Sequence, residues 1–225
     1  MSTFNASIDN SPLRYASSRK DAARALLGHV MGLVSATVAF AALGAYLGRD
    51  LSGGTGLLAL IATLPIILGL NGAAKNGHEQ LAIGLLLGLG LLIGVGIAPV
   101  IAVYASAEPS VLWQAAGVTA AFIAAAGAYG YATRRDLSSW GRMLFWALLG
   151  LIGFGIVAIF VAIPANNVIY AVAGLGIFGA FTIVDFNRLR RSNVESAVPI
   201  AAGIFLDVAN VFLLALDLFG GGRSN

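Results

Sequence analysis

The chain has 225 residues, of which 59% are apolar and only 10% charged, with a net charge of +3, a pI of about 9.5 and a mean hydropathy of +0.89. Soluble domains carry about 25% charged residues, so a soluble globular class is excluded, and the small basic excess lies between apolar runs, unlike a nucleic-acid footprint. The absence of cysteine excludes disulfides and thiolate chemistry and leaves the redox compartment unmarked.

In chain order, residues 1–24 are polar and hold no short apolar core ending in a small-residue cleavage site. They predict a cytoplasmic N-terminal tail ahead of a retained helix, with no cleaved leader. Apolar runs of membrane-spanning length then predict helices at about 25–47, 55–72, 80–104, 111–132, 142–163, 167–188 and 199–219. The expected fold is an all-α membrane protein: a seven-helix transmembrane domain over 25–219 and a short C-terminal tail over 220–225. Six helices is the alternative count. Pro65 and Pro99 fall inside the second and third runs, where neighbouring groups can re-satisfy the freed carbonyls.

Orientation follows from Lys and Arg in alternate loops, since positive loops stay cytoplasmic. One side holds Arg14, Arg19, Lys20, Arg24, Lys75, Arg134, Arg135, Arg142, Arg188, Arg190 and Arg191, and the other holds Arg49 and Arg223. Eleven of the 13 basic residues thus predict an inside N-terminus and an outside C-terminus.

Glycine supplies 29 residues, many inside the apolar runs: Gly84 and Gly88, Gly90 and Gly94, then Gly150, Gly153 and Gly155, then Gly174, Gly176 and Gly179. Small residues at such spacing let helices approach closely where lipid removes the hydrophobic drive between them. A pore lined by glycine backbone is the alternative, and no filter-like sequence supports it.

The informative residues are Asp185 and Asp207, near the inner end of helix six and inside helix seven. A carboxylate there costs about 2.5–3.5 kcal/mol on insertion scales and so calls for a partner or a water path. With helix seven opening at Pro199, Asp207 lies about 12 Å and Asp185 about 5 Å deep. A deeper start of helix seven would bring the two together. Carboxylates in contact cannot both stay ionised cheaply, so the pair would share a proton and titrate as a unit. A shared proton would hold the helices together and full ionisation would drive them apart. The alternative is that each acid caps a polar pocket or meets an arginine, Arg188 or Arg142 in the case of Asp185.

Asp207, Asn210, Leu214 and Asp217 share one face of helix seven. That polar stripe is a candidate path for cations or protons; alternatively Asp217 reaches the headgroups and Asn210 bonds a carbonyl. His29 near the start of helix one reads as structural. No lysine lies well inside a run to anchor retinal, and no phosphate loop, Ser/His/Asp set or HExxH motif is present. No enzymatic activity and no cofactor are expected.

The segment YGYATRRDLSSWGRMLF (Tyr129 to Phe145) resembles the loop between helices four and five of the Bax inhibitor 1 family, also called the transmembrane Bax-inhibitor-motif family. TIVDFNRLRR (Thr182 to Arg191) is similar to that family's sixth-helix ending, and FLDVANVFLLALDLFG (Phe205 to Gly220) to its seventh helix. The resemblance covers most of the chain from about residue 20. It implies a seven-helix bundle with helix seven central, acting in bacterial members as a pH-sensitive calcium leak, with a di-aspartyl sensor carried onto Asp185 and Asp207. The bacterial branch also includes a non-conducting modulator of a membrane-anchored ATP-dependent protease, which is the alternative function.

Some bacterial relatives place a basic residue on helix two beside the acid pair, whereas Gly56 to Leu70 hold none here. Asn71, Lys75 or a loop arginine are the candidate substitutes. The tail GGGRSN lacks the charged extension of eukaryotic relatives, and with the short loops it fits a bacterial inner membrane. Calcium takes six to eight oxygen ligands, so Asp185 and Asp207 as metal ligands, with Asn210, predict weak binding or passage. The expected partners are the lipid bilayer, calcium ions or protons and a membrane protease, with no nucleic acid.

Overall fold

The computed structural model describes residues 12–161 and 166–220, so the expectations for residues 1–11 and 221–225 lie outside the described residues. Seven helices are long and apolar enough to cross a membrane. They are α1 (Pro12–Leu47), α2 (Gly53–Lys75), α3 (Glu79–Ala107), α4 (Pro109–Ala132), α5 (Trp140–Phe160), α6 (Asn166–Arg191) and α7 (Ala197–Gly220), with a short 3-10 turn at Val194–Ser196 before α7. The count of seven holds among the described residues. The helix edges differ most at α1, which begins at Pro12 instead of about residue 25. Hydropathy marks where a helix enters lipid, and helical hydrogen bonding continues past that point; the membrane-length part of α1 is Asp21–Leu47.

The connections are short, so sequential helices run antiparallel. α2 ends in a turn made by Gly77, whose φ of 75° suits a residue without Cβ. The His78 N–H donates to Ala73 O at 2.9 Å and the Gly77 N–H to Ala74 O at 3.2 Å, so the last carbonyls of α2 are satisfied. Pro109 opens α4 at a position where its missing N–H costs nothing.

α7 is the central element: it packs against α1, α2, α3, α4 and α6, and buried residues run along its length from Ala197 to Leu216. α5 packs on α6 and α2 on α3. Their outer faces turn Leu58, Leu68, Trp146 and Phe160 outward, where lipid tails cover them. Tyr46 and Trp113 are exposed at one end of the bundle and Tyr129 and Trp140 at the other, as expected of aromatic belts at two interfaces.

Glycine sets the closest helix contacts, in part as expected. A Cβ at Gly90 would overlap Thr37, one at Gly94 the Ala41 carbonyl, and one at Gly44 the Leu91 carbonyl, so α1 and α3 meet backbone to backbone. Gly155, Gly174 and Gly179 likewise receive Tyr170, Leu214 and Phe122. Gly84, Gly88, Gly150, Gly153 and Gly176 meet nothing, which corrects their assignment to packing faces. Spacing alone does not say which side of a helix has a neighbour.

These contacts make a sharp contrast measurable by thermal unfolding in detergent. Gly94→Ala drives a methyl group into the Ala41 backbone and is expected to cost about 1–3 kcal/mol, as overpacking does. Gly84→Ala enters open space and leaves the midpoint unchanged or slightly raised. Equal midpoints for the two variants would contradict the α1–α3 contact.

Candidate functional site

The site is built from the end of α6 and the first half of α7. Asp185 stands six residues before the last residue of α6, and Gly203 six residues after the first of α7, so both lie about 9 Å from their helix ends. A Cβ at Gly203 would overlap the Asp185 carboxylate, which therefore lies directly on the α7 backbone. Asp207 is four residues further along α7, about one turn, on the same face. The two acids line one cavity of about 650 Å³. With α6 running on to Arg191 and α7 starting at Ala197, Asp185 and Asp207 lie about 9 Å and about 15 Å from their helix ends, an offset of about one turn close to the one expected from sequence.

Asp207 is buried at 5% exposure, while Asp185 is half-buried. The Thr182 hydroxyl lies 3.1 Å from Asp207 Oδ2 and 2.9 Å from Phe178 O. One hydroxyl carries one hydrogen, so Thr182 divides it between a main-chain carbonyl of its own helix and the Asp207 carboxyl group. Asp185 makes no salt bridge among the described residues; the pairs present are Arg49 with Asp50 and Arg191 with Asp136. No salt bridge joins Asp185 to Arg188 or Arg142 among the described residues, while Arg188, one turn along α6, is near enough for its charge to act on Asp185.

The rest of the polar stripe lines the same cavity: Asn210, Leu214 and Asp217 are all in its wall, with Leu206 and Leu213 between them. The Asn210 side-chain N–H donates to Leu206 O at 2.8 Å, within its own helix, which leaves its carbonyl oxygen as the free polar atom. Asp217 is half-buried, ten residues and about 15 Å beyond Asp207. No lysine or arginine lines the cavity. Asn71 donates to Ile67 O on its own helix at 2.9 Å and Lys75 is exposed, so neither replaces the missing basic residue of helix two. His29 is exposed on α1, away from the acids.

Three supporting residues were not singled out from sequence. Thr182 and Gly203 stand three residues before Asp185 and four before Asp207, and that helical spacing was the available signal. The third is Asn187, which is 2% exposed. Its side-chain nitrogen lies 2.9 Å from Thr133 O, 3.1 Å from Arg135 O and 3.3 Å from Gly130 O, and its oxygen accepts the Leu137 N–H at 3.3 Å. Arg190 donates to Thr133 O at 2.9 Å, and Arg191 donates to Arg134 O at 2.8 Å while pairing with Asp136 at 3.2 Å. The two segments YGYATRRDLSSW and DFNRLRR are thus one structural unit, in which the end of α6 ties down the loop between α4 and α5. Donation from the Ser138 hydroxyl and N–H, with Arg191 beside it, holds the Asp136 carboxyl below the usual carboxylate range. The Arg191–Asp136 pair is therefore present at neutral pH and is lost only on acidification below the usual carboxylate range.

Seven membrane-length helices, one of them a central α7 that carries the buried Asp207, define a polytopic integral membrane protein. Residues 23–225 match the family model described as "Inhibitor of apoptosis-promoting Bax1", and the chain belongs to that family. It is 30% identical over 132 residues to "Inner membrane protein YbhL" of Escherichia coli strain K12, covering 50% of this chain and 56% of that protein. It is 29% identical over 118 residues to an uncharacterized protein of Helicobacter pylori strain ATCC 700392 / 26695, covering 52% and 51%. The "Golgi anti-apoptotic protein" of vaccinia virus strain Lister is 32% identical over 135 residues, covering 60% and 56%. The chain spans about half the length of these relatives.

Asn187→Ala removes the donor to Gly130 O and Arg135 O and the acceptor of the Leu137 N–H, at an expected cost of about 1–3 kcal/mol. Limited trypsin digestion reads this directly: cleavage after Arg134 or Arg135 is expected to accelerate in the variant. Digestion at the unchanged rate would show that Asn187 does not hold the loop.

Proposed function

We propose that the protein is a pH-sensitive cation leak that passes calcium, with Asp185 and Asp207 as its proton sensor and gate. The supporting observation is the single cavity shared by these two acids at the α6–α7 contact, with Asn210 and Asp217 continuing along its wall. Two negative charges confined in a medium of low dielectric repel strongly, so loss of the shared proton separates α6 from α7. A proton retained between them keeps the helices closed. The free oxygen of Asn210 and the Asp217 carboxyl then offer the next oxygen ligands to an ion leaving the pair. Two carboxylates and one amide fall short of the six to eight oxygens that calcium takes, which suits passage rather than storage. The excess of basic residues on the N-terminal side supports a cytoplasmic N-terminus and an external C-terminus, in a bacterial inner membrane.

Calcium flux into liposomes carrying the full chain tests this. Flux is expected to rise as the pH is raised, and Asp207→Asn and Asp185→Asn, which cannot share a carboxylic proton between two acids, are expected to abolish that dependence. Flux with the same pH profile in both variants would refute the gate. Absence of flux at every pH would favour the alternative, a non-conducting modulator of a membrane-anchored ATP-dependent protease.

A further inference from the structure

Away from the acids, two cavities lie end to end along α1 and α4. The first, about 980 Å³, is at the basic end of the bundle, where Arg24 of α1, Arg134 after α4, and Arg190 and Arg191 of α6 converge with Tyr131 and Asn193. No aspartate or glutamate lines it. Arg190 and Arg191 are fixed by donation to backbone carbonyls, which orients a guanidinium without neutralising it. Asp136 offsets one charge through Arg191; Asp21 and Glu195 flank the lining residues, and Glu195 accepts from Asn193. Arg24 and Arg134 make no salt bridge among the described residues.

The second cavity, about 660 Å³, runs between α1 and α4 with Phe205, Val208 and Phe212 of α7 as its floor. α1 and α4 both pack on α7 but stand apart from each other here. Its walls are apolar, with alanines such as Ala41, Ala42, Ala120 and Ala124 leaving room between α1 and α4, and Ile93, Ile97 and Ile101 of α3 beside them. The one hydroxyl in it, on Thr119, donates to Ala115 O at 2.7 Å and offers no free hydrogen. From Leu27 to Ala45 the groove follows α1 for about 27 Å, close to the roughly 30 Å of the hydrocarbon layer. Leu26 lines the first cavity and the adjacent Leu27 the second, and Tyr131 packs on the same core cluster.

The dimensions choose the occupant. Over that length the groove holds about 660 Å³ and is apolar apart from the satisfied Thr119, the surroundings a hydrocarbon chain takes. A helix about 10–12 Å across does not fit, an extended peptide would leave its backbone groups unpaired, and water lacks polar partners there. We propose that one anionic phospholipid of the surrounding bilayer binds here, its phosphate among Arg24, Arg134, Arg190 and Arg191 and one acyl chain in the groove between α1 and α4. The arginines supply charge and planar donors suited to phosphate oxygens, and the apolar groove fixes the chain, so the site distinguishes lipid charge and tail together.

Native mass spectrometry of the full chain, titrated with dioleoyl phosphatidylglycerol or dioleoyl phosphatidylcholine, tests the assignment. One phosphatidylglycerol is expected to bind in clear preference to phosphatidylcholine. Arg24→Gln and Arg134→Gln are each expected to weaken it about fivefold. These arginines lie on different elements, so loss of fold in one variant leaves the other to decide. Ala120→Phe is expected to weaken both lipids by blocking the groove, and Arg142→Gln, basic but outside the cavity, to change neither. Equal binding of the two lipids, an anionic preference intact in both arginine variants, or displacement of the lipid by soluble glycerol phosphate would each overturn the proposal.

Discussion

A carboxyl group among lipid tails is tolerable only where another polar group or water meets it, and α7 carries Asp207 at 5% exposure in the middle of the bundle. That requirement draws α7 away from lipid and surrounds it with α1, α2, α3, α4 and α6. It also explains the local sequence around the acid. Thr182 provides the hydroxyl that meets Asp207, and Gly203 removes the side chain that would otherwise keep the Asp185 carboxylate off α7. Asp185, Thr182, Gly203 and Asp207 form one arrangement, in which two acids on facing helices are held within one turn of each other.

The same helix pair is anchored at the basic end. Asn187 stands two residues after Asp185 and is nearly sealed from solvent, with its amide spent on the carbonyls of the α4–α5 loop. A displacement of the C-terminal end of α6 relative to α7 therefore strains the Asn187 contacts and the Arg190 and Arg191 contacts beside them. On the opposite side of α7, the glycine contacts between α1 and α3 hold two helices backbone to backbone. α7 thus lies between a tightly packed α1–α3 pair and an α4–α6 pair joined by polar clamps, and the contact of α6 with α7 contains the carboxyl groups. The proposed proton-dependent opening would act at that contact and not at either clamp.

Much of this was legible in the residues. Apolar run length gave seven spans, because a membrane imposes one dominant length scale on every helix. The cost of charge in lipid pointed to Asp185 and Asp207, and the period of 3.6 placed Asn210 and Asp217 on the face that lines their cavity. Helix ends were less legible: polar residues 12–20 continue α1, since hydrogen bonding and hydropathy end at different places. The roles of Asn187 and Gly203 were hidden because each depends on a partner 50 or more residues away or on another helix. Glycine spacing identified Gly90 and Gly94 correctly and Gly84 and Gly150 incorrectly, because periodicity defines faces without naming their neighbours.

The central claim is that one proton bridges the facing acids and that its loss parts the helices. The most direct measurement is the separation of the Asp185 and Asp207 carboxyl oxygens in structures determined at acid and at alkaline pH. The account predicts a closest approach of about 2.5–2.7 Å at acid pH, the length of a charge-assisted O–H···O contact, and a wider separation at alkaline pH with α6 drawn away from α7. An unchanged distance across that range, or each carboxylate neutralised by its own guanidinium, would contradict it.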